Sequence, residues 1–253
     1  MAFDEMNLYD PLRKSTLDKL IPNTIKSTND FFEAIDNKKI YGTFWQEFNN
    51  YNFDKVNISK SLNSLDKFNE LDILNQMLLN LQGSNSNIIP GVKFPVHFSK
   101  INKLIEKFQD CYLIFLTRNP KAIISSKLND SATINRKKKS ILHRFIIHYF
   151  TLLYFCKEYN QSMKQYSKYS NYGFQISYEE LIENNNTIKE LCKYLNIDYE
   201  KEMLNADGKR SSYKKTQTAS FNFFSSSINK HKEILSPFDS WLIDILTTNT
   251  YYK

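Results

Sequence analysis

Glycine is scarce in this chain, five in 253 residues, and proline contributes only six. So little glycine argues against a Gly-rich nucleotide loop, and the phosphate-loop string Gly-x-x-x-x-Gly-Lys-Ser/Thr does not occur. Cysteine is nearly absent. Cys111, Cys156 and Cys192 each sit in an apolar run, lack metal-ligand spacing and are odd in number. That excludes a disulfide framework and reads as reduced core cysteines in a cytoplasmic protein. Four histidines and no Gly-x-Ser-x-Gly leave Ser/His/Asp and Cys/His catalysis without local support. The N-terminus, MAFDEMNLYD, is acidic and has no apolar h-region, so it is not read as a signal peptide. No uncharged apolar run reaches membrane-spanning length. The most apolar stretch, Ile141 to Cys156, is interrupted by His143, Arg144 and His148 and is predicted to be a core helix.

What is present is an aromatic, basic chain. Nineteen Phe and 16 Tyr bring aromatics to 15% of residues, and formal charge is +7 with a pI near 9.0. Such an excess raises the local concentration of anions: nucleic acid, acidic lipid, acidic glycan or a polyphosphorylated nucleotide. The length suits one large α/β domain with a sizeable core, or at most two small ones. No repeat and no linker divides residues 1–253, which are read as a single domain. Apolar strand-like runs alternate with amphipathic helical stretches, which favours a parallel sheet flanked by helices.

The most informative segment is Cys111 to Asn129, CYLIFLTRNPKAIISSKLN. Its first six residues are apolar or aromatic, the pattern of a strand covered on both faces. Thr117, Arg118 and Asn119 form a turn, and Pro120 suits the first helical position. Arg118 therefore falls at the carboxyl end of a strand beside a helix start, where open α/β sheets bind anions. Ser126 follows eight residues later. A guanidinium fork and a hydroxyl so placed suit a phosphate. The same pattern also suits a surface turn whose Arg merely caps or pairs.

Arg118, Asn119, Pro120 and Ser126 resemble the 3′-phosphate-binding element of sulfotransferases that use 3′-phosphoadenosine 5′-phosphosulfate (PAPS). Two further matches occur in the right order. Upstream, Gly91-Val92-Lys93-Phe94-Pro95 resembles the family's Gly-x-Lys-x-Pro element. Downstream, Ile176-Ser177-Tyr178-Glu179-Glu180-Leu181 and the helical stretch to Ile197 resemble its Tyr-Glu-Asp-Leu segment. The likeness spans residues 88 to 200.

The resemblance implies a P-loop NTPase-like three-layer fold and sulfuryl transfer from PAPS to a hydroxyl or amine, with no metal. By the same likeness Lys93 stabilises developing charge and His97 is the candidate base. Arg118 and Ser126 hold the 3′-phosphate, and Tyr178 packs near the adenosine. Lys230 lies in a loop, Phe224 to Lys230, that closes over the cofactor phosphate. The acceptor is a sugar, a lipid or a small molecule.

One part of the pattern is not found. The family opens with an apolar strand and a loop of the form Arg-Ser-Gly-Thr-Thr, and the nearest string here, Lys39 to Trp45, has no apolar strand before it. The fold is therefore expected to lack its first strand and loop, the chain being N-terminally truncated, completed by a loop from another chain, or a remnant, and the chain alone is expected to have little or no transferase activity. A competing reading keeps the fold without the chemistry. It is a basic, non-catalytic domain binding nucleotide or nucleic acid, motivated by Arg136-Lys137-Lys138-Lys139 and the Lys/Tyr-rich stretch from Lys164 to Tyr172.

Overall fold

The computed structural model describes residues 2–3, 14, 16–37, 39–40, 53–85, 88–93, 100–129, 141–184, 186–204 and 226–247. They divide into two compact units, one built from the chain up to Gln109 and one from residue 110 onward.

The first unit is mainly helical. Strand β1 (Ala2–Phe3) is followed by α1 (Leu17–Asn23), α2 (Thr28–Asp36), α3 (Lys55–Asn63), α4 (Glu70–Gln82), strand β2 (Gly91–Val92) and α5 (Ile101–Lys107). Helices α2, α3 and α4 start where the sequence supplies caps. Ser27 and Asp30 close a capping box on α2, and Asn69 and Asp72 close one on α4. Gly83 ends α4 at φ 59°, a left-handed conformation that favours glycine. Leu17, Phe31, Ile35, Ile58, Leu62, Ile73 and Met77 form the core of this unit.

β1 pairs in parallel with β2, Ala2 opposite Gly91 and Phe3 opposite Val92. A two-residue strand thus precedes α1 and lies beside the strand that leads into Lys93. The longer strand expected over Ile88 to Val92 is only its last two residues.

The second unit holds β3 (Ile114–Thr117), α6 (Pro120–Leu128), the long α7 (Ile141–Tyr169), β4 (Phe174–Ser177), α8 (Tyr178–Glu183) and α9 (Asn186–Leu195). After them come α10 (Ser226–Asn229), α11 (His231–Ile234) and α12 (Pro237–Leu246). β3 and β4 are parallel and in register from Ile114↔Phe174 to Thr117↔Ser177. Ile124 and Leu128 of α6, Leu152 and Cys156 of α7 and Ile243 of α12 form the core of this unit.

The burial of β3 departs from the sequence expectation. Phe115 is buried, whereas Ile114 and Leu116 are exposed. In-register neighbours share a face, so Phe115 and the buried Ile176 lie on opposite faces of the pair. Each face is covered in part, not throughout. Cys156 and Cys192 are buried as expected, but Cys111 is exposed. The apolar start of α7 is not core either, since Leu142, Phe145, Ile146 and Phe150 are all exposed.

One buried polar cluster joins α7 to α12. Asp239 accepts from the backbone N–H of Ser236, while its own N–H donates to the Ser236 hydroxyl, closing a capping box. Its other oxygen lies 3.1 Å from His148 Nε2. Burial pushes the Asp239 carboxyl up, but the bonds from His148 and Ser236 outweigh it and leave the group below the usual carboxylate range.

A folded value below the unfolded one stabilises the fold above the unfolded value, near pH 4, and that contribution is lost as pH falls through the folded value. Asp239→Ala is therefore expected to cost about 1–2 kcal/mol at neutral pH. In denaturant titrations at neutral pH and below pH 4, the gap to wild type should narrow in acid. An unchanged gap contradicts this assignment.

Candidate nucleotide site

The register of β3 against β4 builds the site. Thr117 and Ser177 are partners at the carboxyl ends of the two strands. The next residue of each strand, Arg118 and Tyr178, therefore leaves the sheet at the same level. The Arg118 guanidinium carbon lies 4.2 Å from the centroid of the Tyr178 ring. The ring offers the cation a π-face and not an acceptor oxygen, so this contact orients Arg118 without neutralising it.

Further bonds fix the two turns to each other. The Asn119 N–H donates to Glu179 Oε1 at 3.2 Å, and the Thr117 hydroxyl donates to the Ile176 carbonyl at 3.4 Å. Each turn enters its helix through a side-chain cap. Asn119 accepts from the Lys121 N–H at 2.9 Å with Pro120 at the first helical position. Ser177 and Glu180 form a capping box on α8. Segments 60 residues apart are thus held together by backbone register and polar bonds.

Gly173 makes this pairing possible. A Cβ there would meet the Leu113 carbonyl oxygen at 2.5 Å and the Phe115 ring at 2.7 Å. The Phe174 N–H donates to the same Leu113 carbonyl at 2.8 Å.

On α6 the two adjacent serines differ. Ser125 is buried and donates to the Ala122 carbonyl at 3.1 Å, whereas Ser126 is exposed. The hydroxyl available to a ligand is therefore that of Ser126. Lys230 is exposed at the N-cap of α11, a helix packed against α6. Between α6, α11 and α12 lies a cavity of about 320 Å³, lined by Lys121, His231, Lys232, Ser236 and Ser240 among others. Lys121 also pairs with Asp244 at 2.7 Å. The sequence reading missed Lys121 and Lys232. Their position in one wall follows from the packing of α11 on α6, which no local pattern reveals.

Of the residues singled out from the sequence, Arg118, Ser126, Tyr178 and Lys230 all belong to the second unit, and Arg118 and Tyr178 are in direct contact. Lys93 is exposed just after β2 in the first unit. His97 lies outside the described residues.

A model of the sulfotransferase family matches residues 4–201. The chain belongs to the sulfotransferase family. The match takes in Lys93, His97, Arg118, Ser126 and Tyr178 and ends before Lys230. It also takes in residues 4–87, which the sequence resemblance left out. Among solved structures, the chain is similar to a sulfotransferase domain from the curacin biosynthetic pathway, with TM-score 0.50 and 16% identity over 79% of this chain and 77% of that one. At that identity the likeness establishes the α/β sulfotransferase fold. No curated protein matches the chain.

Proposed function

We propose that this sulfotransferase-family chain transfers a sulfuryl group from PAPS to a hydroxyl or amine acceptor, with Arg118 gripping the 3′-phosphate. The observation that carries the reading is the Arg118–Tyr178 contact at the ends of two in-register parallel strands. It presents a fixed guanidinium where such sheets bind anions. Tyr178 acts first as the platform that orients Arg118.

Ser126 lies about 9 Å along the helix axis from Pro120. A phosphate shared by Ser126 and Arg118 therefore rests against the side of α6, not at its mouth. Lys230 and the basic cavity beside it, with Lys121 and Lys232, add positive charge on the same unit.

The co-substrate supplies the activated sulfuryl group. The acceptor oxygen or nitrogen forms a bond to sulfur as the bond from sulfur to the 5′-phosphate breaks, and the bisphosphate leaves. Lys93 would neutralise charge on the sulfuryl oxygens, and His97 would take the acceptor proton. The family's phosphosulfate loop sits between its first strand and first helix. In this sequence Arg13-Lys14-Ser15, just before the buried Thr16 that caps α1, carries two cations and a hydroxyl, though no glycine. We place the loop's role on this segment and not on Lys39 to Trp45.

The test is transfer of label from sulfur-labelled PAPS to a panel of sugar, phenol, lipid and amine acceptors. The expected result is labelled product with at least one class and none with heat-denatured protein. Tight binding of the bisphosphate with no transfer to any acceptor would favour the non-catalytic nucleotide-binding reading.

A further inference from the structure

The cavity between α6, α11 and α12 contains a buried imidazole that uses only one of its two nitrogens. His231 lines this cavity and is 8% exposed. Its Nδ1 lies 3.0 Å from the Ile228 carbonyl oxygen. A carbonyl only accepts, so Nδ1 carries the proton and the neutral ring is left with Nε2 as a bare acceptor. Nε2 has no partner among the described residues. Ile228 is not part of the lining, so the ring turns its Nε2 edge toward the cavity.

The remaining polar lining consists of donors. Lys121 and Lys232 bring two ammonium groups, and Ser236 and Ser240 bring two hydroxyls. Lys121 spends one of its three N–H donors on Asp244, and Lys232 has no acidic partner among the described residues. None of the described lining residues is acidic. Of the neighbouring acids, Asp244 is bonded to Lys121, Asp239 to the Ser236 N–H and His148, and Glu233 is exposed outside the lining.

Ammonium and hydroxyl donors around one cavity select an anion. A single acceptor nitrogen among them selects an anion that also has a proton to donate. Hydrogen phosphate and sulfate carry the same double negative charge and nearly the same shape, but only hydrogen phosphate has an O–H. We infer that this cavity is a second anion site, which takes a hydroxyl-bearing phosphate and rejects sulfate. Lys121 and Lys232 hold the charge, and Nε2 accepts the ligand's O–H. Sulfate would set oxygen lone pairs against Nε2 and leave a buried acceptor unpaired. The volume, about 320 Å³, is at the low end for small-molecule sites and exceeds the need of a bare oxyanion, so a phosphate ester with a free hydroxyl also fits.

The site is separate from the 3′-phosphate grip. Its lining contains none of Arg118, Ser126 and Lys230. Lys121 and Ser126 are about 140° apart around α6, so they face different sides of that helix. The inference does not rest on the transferase reading.

The test follows the His231 ring signal by NMR in the full chain with labelled histidine, at pH 8, where an ordinary imidazole is neutral. The signal is identified by its loss in His231→Asn. Sodium hydrogen phosphate and sodium sulfate are titrated separately at constant ionic strength. The expected result is a saturable shift whose midpoint is at least about tenfold lower for phosphate than for sulfate. The shift should persist in Arg118→Ala. In that background calorimetry should show Lys232→Met weakening both anions alike, because it removes charge and not the discriminating acceptor. His231→Asn keeps a donor for the Ile228 carbonyl but has nothing in place of Nε2, so it should lose the preference for phosphate. His231→Gln restores an acceptor there and should regain part of it. Glycerol 3-phosphate and methyl phosphate separate the two sources of the ligand. Glycerol 3-phosphate binding tighter than hydrogen phosphate assigns the site to a hydroxylated ester, and the reverse order assigns it to free phosphate.

Sulfate shifting the His231 signal as readily as phosphate overturns the inference. So does the absence of a saturable shift with either anion, loss of the shift in Arg118→Ala, or a phosphate preference that survives His231→Asn.

Discussion

Arg118→Ala is expected to weaken binding of adenosine 3′,5′-bisphosphate about a hundredfold while changing AMP binding severalfold at most. The distinction follows from where Arg118 sits. It leaves β3 at the level where Tyr178 leaves β4, and its guanidinium is held over the Tyr178 ring. The Asn119–Glu179 bond fixes the turn beneath it. A preorganised guanidinium making paired charge-assisted bonds to one phosphate contributes about 3 kcal/mol, which is about a hundredfold in affinity. AMP has no 3′-phosphate and does not use that interaction. Arg118→Lys keeps the charge but loses the planar fork and the fit to the ring, so it should recover only part of the loss. Calorimetric titration of wild type and both variants with the two nucleotides reads the effect. Equal losses for bisphosphate and AMP would show that Arg118 supports the fold or the adenosine and does not grip the 3′-phosphate.

Gly173→Ala should be among the most damaging single-atom-scale changes in the second unit. The reason is space, since the added methyl would sit 2.5 Å from the Leu113 carbonyl oxygen and 2.7 Å from both the Leu113 Cβ and the Phe115 ring. Leu113 O is backbone, already bonded to the Phe174 N–H, and cannot swing aside as a flexible side chain would. β4 must move away from β3 at its first residue. The expected cost is about 3 kcal/mol, the upper end of overpacking penalties, or a fall of about 10 °C in melting temperature. Because β4 carries Tyr178 to Arg118, bisphosphate binding should fall as well, even below the melting transition. A thermal melt together with nucleotide titration tests both parts. An unchanged melting temperature would mean that β3 and β4 are not paired as described.

The candidate site was legible in the sequence because its signals are local. An apolar run, a Thr-Arg-Asn-Pro turn and a Ser-Tyr-Glu-Glu cap each specify a strand end and a helix start within a few residues. What brings Arg118 against Tyr178 is register, and the sequence reading had only the order of the motifs and not that contact. Lys121 and Lys232 were missed because helix packing, not spacing, sets them in one cavity wall.

Elsewhere the errors have distinct causes. β1 is two residues long, too short for any period to show in the sequence. β3 looked buried on both faces because the run from Cys111 to Leu116 is apolar or aromatic throughout. Its burial in fact alternates, as Phe115 and its two exposed neighbours show. The start of α7 looked like core because it is apolar on nearly every side.

The central claim, a site on this family member built to hold a 3′-phosphate at Arg118, is tested most directly by titrating the wild-type chain with adenosine 3′,5′-bisphosphate and with AMP under identical salt. The bisphosphate should bind at least about tenfold tighter, the minimum that one charge-assisted phosphate grip provides. Equal affinities for the two nucleotides, or no binding of either, would contradict it.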